Sequence, residues 1–128
     1  MNQFKFYIFC LLTTFLFVFS GCDKEKINDR KLEKMLADIK ALAATSICDN
    51  NGTYELKYLR FGNRECAGAG YLAYSTSIDV ENLKNQVKKY NDLERAYLEK
   101  KNDGIDCLAI TIAPKSVTCE NGKPKLVY

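Results

Sequence analysis

Apolar residues recur at three- and four-residue steps between Leu32 and Ala43, and charged residues occupy most positions between them. This spacing predicts an amphipathic helix, because side chains three or four residues apart share one helix face. Asn28 or Asp29 can cap its start. The run Asp49-Asn50-Asn51-Gly52 predicts a turn after the helix.

A second amphipathic helix is predicted from Asp79 to the run Asn102-Asp103-Gly104. Asp79 suits the N-cap, and Ile78 and Leu83 can form a hydrophobic staple around it. The apolar stripe of this helix is typical of a face packed into a core. It consists of Val80, Leu83, Val87, Tyr90, Leu93 or Glu94, and Tyr97.

Stretches rich in β-branched and aromatic residues predict strands before and after the second helix. Asn121-Gly122 predicts a tight hairpin, because Asn and Gly adopt the positive φ angles that a two-residue turn requires. This turn would join Val117–Cys119 to Lys125–Tyr128. The other predicted strands are Tyr54–Phe61 and Tyr71–Tyr74. The stretch Ile105–Ala113 is also apolar and β-branched, and Pro114 ends it.

The order of elements is therefore α, β, β, α, β, β. We expect an α+β domain in which the two amphipathic helices pack on one face of a small antiparallel sheet. A mostly helical domain with irregular, disulfide-held loops is the alternative. Residues 22 to 128 suffice for one domain with a modest core, but not for two domains.

The N-terminal segment has the character of an export signal. Lys5 is the only charge before Asp23, and the apolar stretch Phe6–Phe19 is shorter than the roughly 20 residues that span a bilayer as a helix. A positive start, a short apolar core and a small pair, here Ser20-Gly21, are the three parts of a cleaved secretory signal.

The run Phe19-Ser20-Gly21-Cys22 also resembles the lipobox of bacterial lipoproteins, with Phe19 where Leu is usual. The resemblance implies a diacylglyceryl group on Cys22, cleavage before Cys22 and acylation of the new amino group. Two or three acyl chains anchor a protein stably. We therefore expect a signal peptide at 1–21, a lipidated cysteine and tether at 22–28, and one domain at 29–128.

Such a protein would be anchored to a membrane of the bacterial cell envelope, on its periplasmic face or its outer surface. A plain signal peptide with a chance cysteine is the alternative.

The later cysteines are Cys48, Cys66, Cys107 and Cys119, and an even number in a small exported domain predicts two disulfides. Three connectivities are possible, and the sequence does not choose among them.

Composition narrows the class of function. The chain has 19 Lys and Arg against 16 Asp and Glu, with the two signs interspersed, so we do not expect nucleic acid as a partner. It has no histidine, no nucleophile motif and no closely spaced cysteine pair of the zinc type. We therefore expect no catalytic activity, no metal and no cofactor. Capping or solvation explains the scattered carboxylates as well as catalysis would: Glu55, Glu65, Asp79, Asp92, Asp103 and Asp106.

The stretch ECAGAGYLAYSTSID, residues 65–79, is the most distinctive part of the domain. Gly68 and Gly70 permit close approaches, and Tyr71 and Tyr74 provide two amphipathic rings, so residues 66–77 can form a rigid contact loop. The alternative is structural: a glycine turn leads through a buried tyrosine strand to the N-cap of the second helix. We favour the structural interpretation and keep these four residues as candidates.

This stretch, together with Tyr90-Asn91, Asp106-Cys107 and the C-terminal PKSVTCENGKPKLVY, resembles a group of small secreted bacterial lipoproteins that have no assigned activity. The resemblance spans most of residues 48–128 and implies a common disulfide-containing exported domain. Two functions stay open. The first is a lipid-anchored binding or interaction module with a protein partner. The second is an inhibitor or immunity-type protein that blocks an envelope-active hydrolase, because a small disulfide-fixed domain can plug a cleft.

Overall fold

The computed structural model describes residues 27–63, 70–101 and 111–128. Cys22, Cys66, Gly68 and Cys107, and with them the predicted signal peptide, lie outside these residues. The described part contains two helices and four strands, which confirms the predicted α+β class. They are α1 (Asp29–Ala44), β1 (Leu56–Phe61), β2 (Gly70–Ser75), α2 (Val80–Lys101), β3 (Ser116–Glu120) and β4 (Lys123–Val127).

Polar residues before each helix fix where it begins. The Asn28 side chain accepts a hydrogen bond from the Lys31 amide at 2.8 Å. Asp79 Oδ1 accepts one from the Asn82 amide at 2.9 Å. Each bond satisfies a first-turn amide that has no carbonyl partner within its own helix. Of the two cap candidates predicted for α1, Asn28 is the cap and Asp29 is the first helical residue, and the predicted cap at Asp79 is confirmed.

The hydrophobic core lies between the two helices and one face of the β1–β2 hairpin. From the hairpin, Phe61 and Tyr74 are buried in the core, and Leu59 and Leu72 pack against it. From the helices come the buried residues Leu32, Ile39, Ala43, Leu83, Val87, Tyr90 and Tyr97. Burial of each large apolar side chain contributes about 1.5–3 kcal/mol, so this core fixes the hairpin against the helices.

The four strands form two separate antiparallel hairpins, β1–β2 and β3–β4. The prediction that the strands form a single small sheet is therefore wrong. β3 packs beside β1, and β4 packs beside β2, but no ladder hydrogen bonds join the two hairpins within the described part of the chain. The turn of the second hairpin is tied elsewhere, because the Cys48 amide donates to the Gly122 carbonyl at 3.0 Å.

The β3–β4 hairpin turns at Asn121-Gly122, as predicted. The φ angles are 50° at Asn121 and 75° at Gly122, the left-handed conformations that a tight two-residue hairpin turn uses. The turn brings Lys123 to the end of α1, where its ammonium group donates to the carbonyl oxygens of Ala44 and Ser46 at 2.9 and 3.1 Å. A cation at this position is favourable because the carbonyl end of a helix carries partial negative charge.

A disulfide joins Cys48, in the loop after α1, to Cys119 in β3. The two Cα atoms are 5.8 Å apart, and 71 positions separate the two residues in sequence. One of the two predicted disulfides is therefore confirmed, and its pairing, which the sequence left open, is Cys48 with Cys119. The other two candidate cysteines, Cys66 and Cys107, lie outside the described residues, so a second disulfide stays a prediction.

A pair of serines holds the same loop against β2. Ser75 is fully buried, and its hydroxyl donates to the Ile47 carbonyl at 2.5 Å. The Ser77 hydroxyl accepts from the Ile47 amide at 2.9 Å and lies 2.8 Å from the Ser75 hydroxyl. These bonds satisfy backbone groups that have no ladder partner. The loop that carries Cys48 is therefore fixed to the first hairpin as well as to the second.

Candidate functional site

The face of the β1–β2 hairpin turned away from the core carries two tyrosines and an arginine. Because side chains alternate along a strand, Tyr58 and Arg60 lie opposite the core-facing Leu59 and Phe61. Arg60 pairs with Tyr71 in the ladder. The Tyr58 and Tyr71 ring centroids are 5.7 Å apart, with the ring planes at 76°, the edge-to-face geometry that aromatic pairs prefer.

This cluster is accessible to a partner. Tyr58 is 42% exposed, Arg60 is exposed and Tyr71 is half-buried. We call these three residues the Tyr–Arg surface. Tyr58 and Arg60 were not predicted as contact residues, because only the register of β1 against β2 brings them beside Tyr71.

Of the predicted contact-loop residues, Tyr71 lies on this surface and Tyr74 does not. The two tyrosines are three residues apart in one strand, so they lie on opposite faces, and Tyr74 is in the core at 2% exposure. Gly70 begins β2 against the Phe61 ring, where an added Cβ would lie 2.6 Å from Phe61 Cζ. The close approach predicted for Gly70 is therefore to a core side chain.

A polar pocket lies at the end of β1 and shares Arg60 with the Tyr–Arg surface. Among the described residues its lining consists of Arg60, Gly62, Asn63 and Asn91, and its volume is about 390 Å³. Gly62 has a φ of 85°, a conformation that glycine adopts without the strain other residues incur. It allows the chain to leave β1 and turn toward α2. We call this cavity the polar pocket.

Hydrogen bonds fix the walls of the polar pocket to α2. The Gly62 amide donates to Asn91 Oδ1 at 2.8 Å, and the Asn63 amide donates to Glu94 Oε2 at 2.5 Å. Asn63 Nδ2 donates to the Asn91 carbonyl and, at 3.3 Å, to Glu94 Oε2. The two residues after β1 are thereby held in place by a helix about 30 positions later in the chain.

Glu94 is the buried carboxylate behind this loop, at 5% exposure. Its Oε1 accepts from the Tyr90 hydroxyl at 3.1 Å, and its Oε2 accepts from Asn63. Burial of a carboxylate is costly unless hydrogen bonds compensate for lost water. Both oxygens accept hydrogen bonds here, so Glu94 holds the residues after β1 against α2. The only sequence signal for this role is weak: an acidic residue stands at a position where the apolar stripe of α2 continues.

The carboxylates that the sequence analysis considered are held by local partners wherever the structure describes them. Asp79 caps α2. The Lys57 ammonium bonds to Glu55 and lowers the pKa of that carboxyl. Lys88 lies 2.8 Å from Asp92 and lowers its pKa in the same way. Glu55 and Asp92 are therefore ionised near neutral pH and form surface pairs, and Asp79 serves as a helix cap.

Comparisons with known proteins provide no guide to the function, so the function is inferred from the sequence and structure of this chain. The chain matches no protein-family model, and no curated protein or solved structure is significantly similar to it. Within the described ranges, no helix combines the length and apolar character that crossing a bilayer requires. Those same ranges contain no group of three or more His, Cys, Asp or Glu side chains placed to hold a metal ion.

Proposed function

We propose that this protein is a lipid-anchored binding module of the bacterial cell envelope, and that it contacts a protein partner through the Tyr–Arg surface. The observation that carries the proposal is the grouping of Tyr58, Arg60 and Tyr71 on the outer face of the β1–β2 hairpin, where Tyr58 and Arg60 are exposed and Tyr71 is half-buried. Tyr and Arg dominate the residues that contribute most to protein interfaces. The ladder and the ring contact hold the tyrosines in place, so their binding costs little conformational entropy.

The anchor in this proposal is Cys22. It rests on the likeness of Phe19-Ser20-Gly21-Cys22 to a lipobox and on the short apolar core before it. An extended chain spans at most about 3.6 Å per residue, and α1 begins at Asp29. A lipid on Cys22 would therefore hold the domain within roughly 25 Å of the membrane.

Intact mass tests the anchor. The exported chain is expected to begin at Cys22 and to carry lipid, and Cys22→Ser is expected to release the protein into the soluble fraction. An unmodified chain that begins at any other residue contradicts the lipid anchor and leaves the Tyr–Arg surface to be tested separately.

We also propose a second disulfide, between Cys66 and Cys107. With Cys48 bonded to Cys119, this is the only pairing of the four cysteines that bridges them all. Non-reducing peptide mapping is expected to recover a linked peptide pair that contains both residues. Alkylation of either cysteine in most molecules, without reductant, contradicts the second bridge.

The proposal includes no catalytic role. Its support is that Glu94, a carboxylate buried beside the polar pocket, is occupied by Tyr90 and Asn63. An assay of the purified protein against lysozyme and common serine proteases separates this function from the inhibitor alternative. Dose-dependent inhibition of one of these enzymes would contradict the binding module and support the inhibitor function.

Partner capture tests the Tyr–Arg surface. Tyr71→Ala is expected to reduce crosslinked partner at least fivefold in the producing cells, because an anchor ring is lost from the interface. Tyr128→Ala is the matched control, since Tyr128 is 60% exposed and lies outside the surface. If both variants capture as much partner as the unmodified protein, the Tyr–Arg surface is not the contact site.

A further inference from the structure

Residues that carry hydrogen-bond donors line the polar pocket, and the direction of the Asn91 side chain among them is fixed. The Gly62 amide requires an acceptor, so it fixes the Asn91 side chain with Oδ1 toward Gly62, at 2.8 Å. The two polar atoms of an amide side chain diverge from one carbon, so the Asn91 amino group points away from this bond and carries two donors. Arg60, which also lines the pocket, adds a planar guanidinium with five donors.

These donors match the two oxygens of a carboxylate. A guanidinium binds a carboxylate through two parallel, charge-assisted hydrogen bonds, and an amide NH₂ beside it can supply another. Asn63 turns its own Nδ2 toward α2, so its Oδ1 is an acceptor on the other side. Glu94 does not line the pocket in the described residues, and its oxygens are turned to Tyr90 and Asn63.

We propose that the polar pocket binds an acidic side chain, Asp or Glu, of the protein partner. This inference rests on the proposed function and names the chemistry that the partner brings. Arg60 belongs both to the polar pocket and to the Tyr–Arg surface. The proposed carboxylate site therefore lies at the edge of the surface on which a partner would contact Tyr58 and Tyr71. A pocket of about 390 Å³ is large enough for one such side chain.

The test uses the full-length chain, purified in detergent and labelled for NMR. It is titrated with N-acetylglutamate amide, and with N-acetylglutamine amide as the probe that lacks only the charge. The glutamate probe is expected to shift the Gly62 backbone amide and the Asn91 side-chain NH₂ saturably. The glutamine probe is expected to shift neither.

Two variants and a control locate the site. Arg60→Gln is expected to weaken binding of the glutamate probe at least tenfold. Asn91→Asp keeps an acceptor for Gly62 but replaces the NH₂ donor by a carboxylate oxygen, and it is expected to abolish the response. Lys84→Gln removes an exposed charge of α2 outside the pocket and is expected to leave binding unchanged.

An equal response to both probes, or undiminished binding by a folded Arg60→Gln protein, would overturn the carboxylate site. The titration depends neither on the lipid at Cys22 nor on Tyr71. Loss of the pocket response with partner capture intact therefore contradicts the pocket alone. Saturable probe binding together with capture that does not depend on Tyr71 contradicts the proposed function instead.

Discussion

Glu94 occupies a position of α2 where the apolar stripe continues, and the structure buries it there. A leucine at this position would add apolar area, but it would leave the Asn63 amide without its acceptor. The carboxylate instead connects three groups from two parts of the chain. At the scale of single residues, one buried acidic side chain thus holds the loop after β1 in its position.

Removal of this carboxylate is expected to destabilise the domain. Glu94→Ala takes away the acceptor of the Asn63 amide, and an unsatisfied buried donor costs about 1–3 kcal/mol. We expect the free energy of unfolding, measured in urea, to fall by at least about 2 kcal/mol because a cavity is added. Glu99→Ala, on the exposed side of α2, is expected to change it by less than about 0.5 kcal/mol. Equal effects would contradict the role of Glu94.

Tyr71 and Tyr74 provide a second residue-scale comparison, because they lie on opposite faces of β2. Tyr74→Ala empties a buried aromatic site and is expected to lower the free energy of unfolding by about 3–5 kcal/mol. Tyr71→Ala, on the half-buried outer face, is expected to cost clearly less. Thermal melts of the two variants measure this difference. A larger loss for Tyr71→Ala would mean that the two faces of β2 are assigned the wrong way round.

At the scale of elements, the loop between α1 and β1 connects the helices to both hairpins. It contains Cys48, whose side chain is bonded to β3 and whose amide donates to the Gly122 carbonyl. It also contains Ile47, which is held in place by Ser75 at the end of β2 and by Ser77 just after it. The second hairpin is therefore positioned by this loop and not by pairing with the first.

The disulfide of this loop is expected to contribute much of the stability of the domain. It closes a loop of 71 residues, and the chain-entropy account gives roughly 4 kcal/mol for a loop of this size. A Cys48→Ala, Cys119→Ala double variant is expected to lose an amount of this order in urea unfolding. A loss below about 1 kcal/mol would show that the hydrogen bonds of the loop suffice without the bridge.

The turn after Cys48 has a pH dependence of its own. The Thr53 hydroxyl and amide donate to the Asp49 carboxylate at 2.5 and 3.0 Å, which lowers the pKa of Asp49 from its ordinary value of 3.8. A lowered carboxyl pKa means that the stabilisation is present above that ordinary value and is lost as the pH falls through the folded value. The NMR chemical shift of the residue 53 backbone amide is expected to titrate with a midpoint below pH 3.8. Thr53→Ala removes the hydroxyl donor and is expected to raise this midpoint.

On the scale of the whole molecule, local signals predicted the elements, and non-local contacts determined their arrangement. The caps at Asn28 and Asp79 and the turn at Asn121-Gly122 are read from a few adjacent residues, and they were predicted. The separation of the strands into two hairpins depends on contacts between distant parts of the chain. A count of strands does not reveal this separation.

The candidate site likewise combines a residue that was predicted from the sequence with residues that only non-local contacts bring together. Tyr71 was among the predicted contact residues, but its neighbours Tyr58 and Arg60 become visible only once the register of β1 against β2 is known. The polar pocket needs Asn91, about 30 positions after Gly62, on the adjacent helix. No sequence motif links residues at that separation, so the pocket could not be predicted.

Photocrosslinking from position 58 in the producing cells tests whether the Tyr–Arg surface binds a partner. The full-length protein carries p-benzoylphenylalanine in place of Tyr58, and a parallel version carries it in place of Tyr128. We expect an adduct of discrete mass from position 58, none from position 128, and loss of the adduct when Arg60→Glu is added. No adduct from position 58, or the same adduct from both positions, would contradict a binding module that acts through the Tyr–Arg surface.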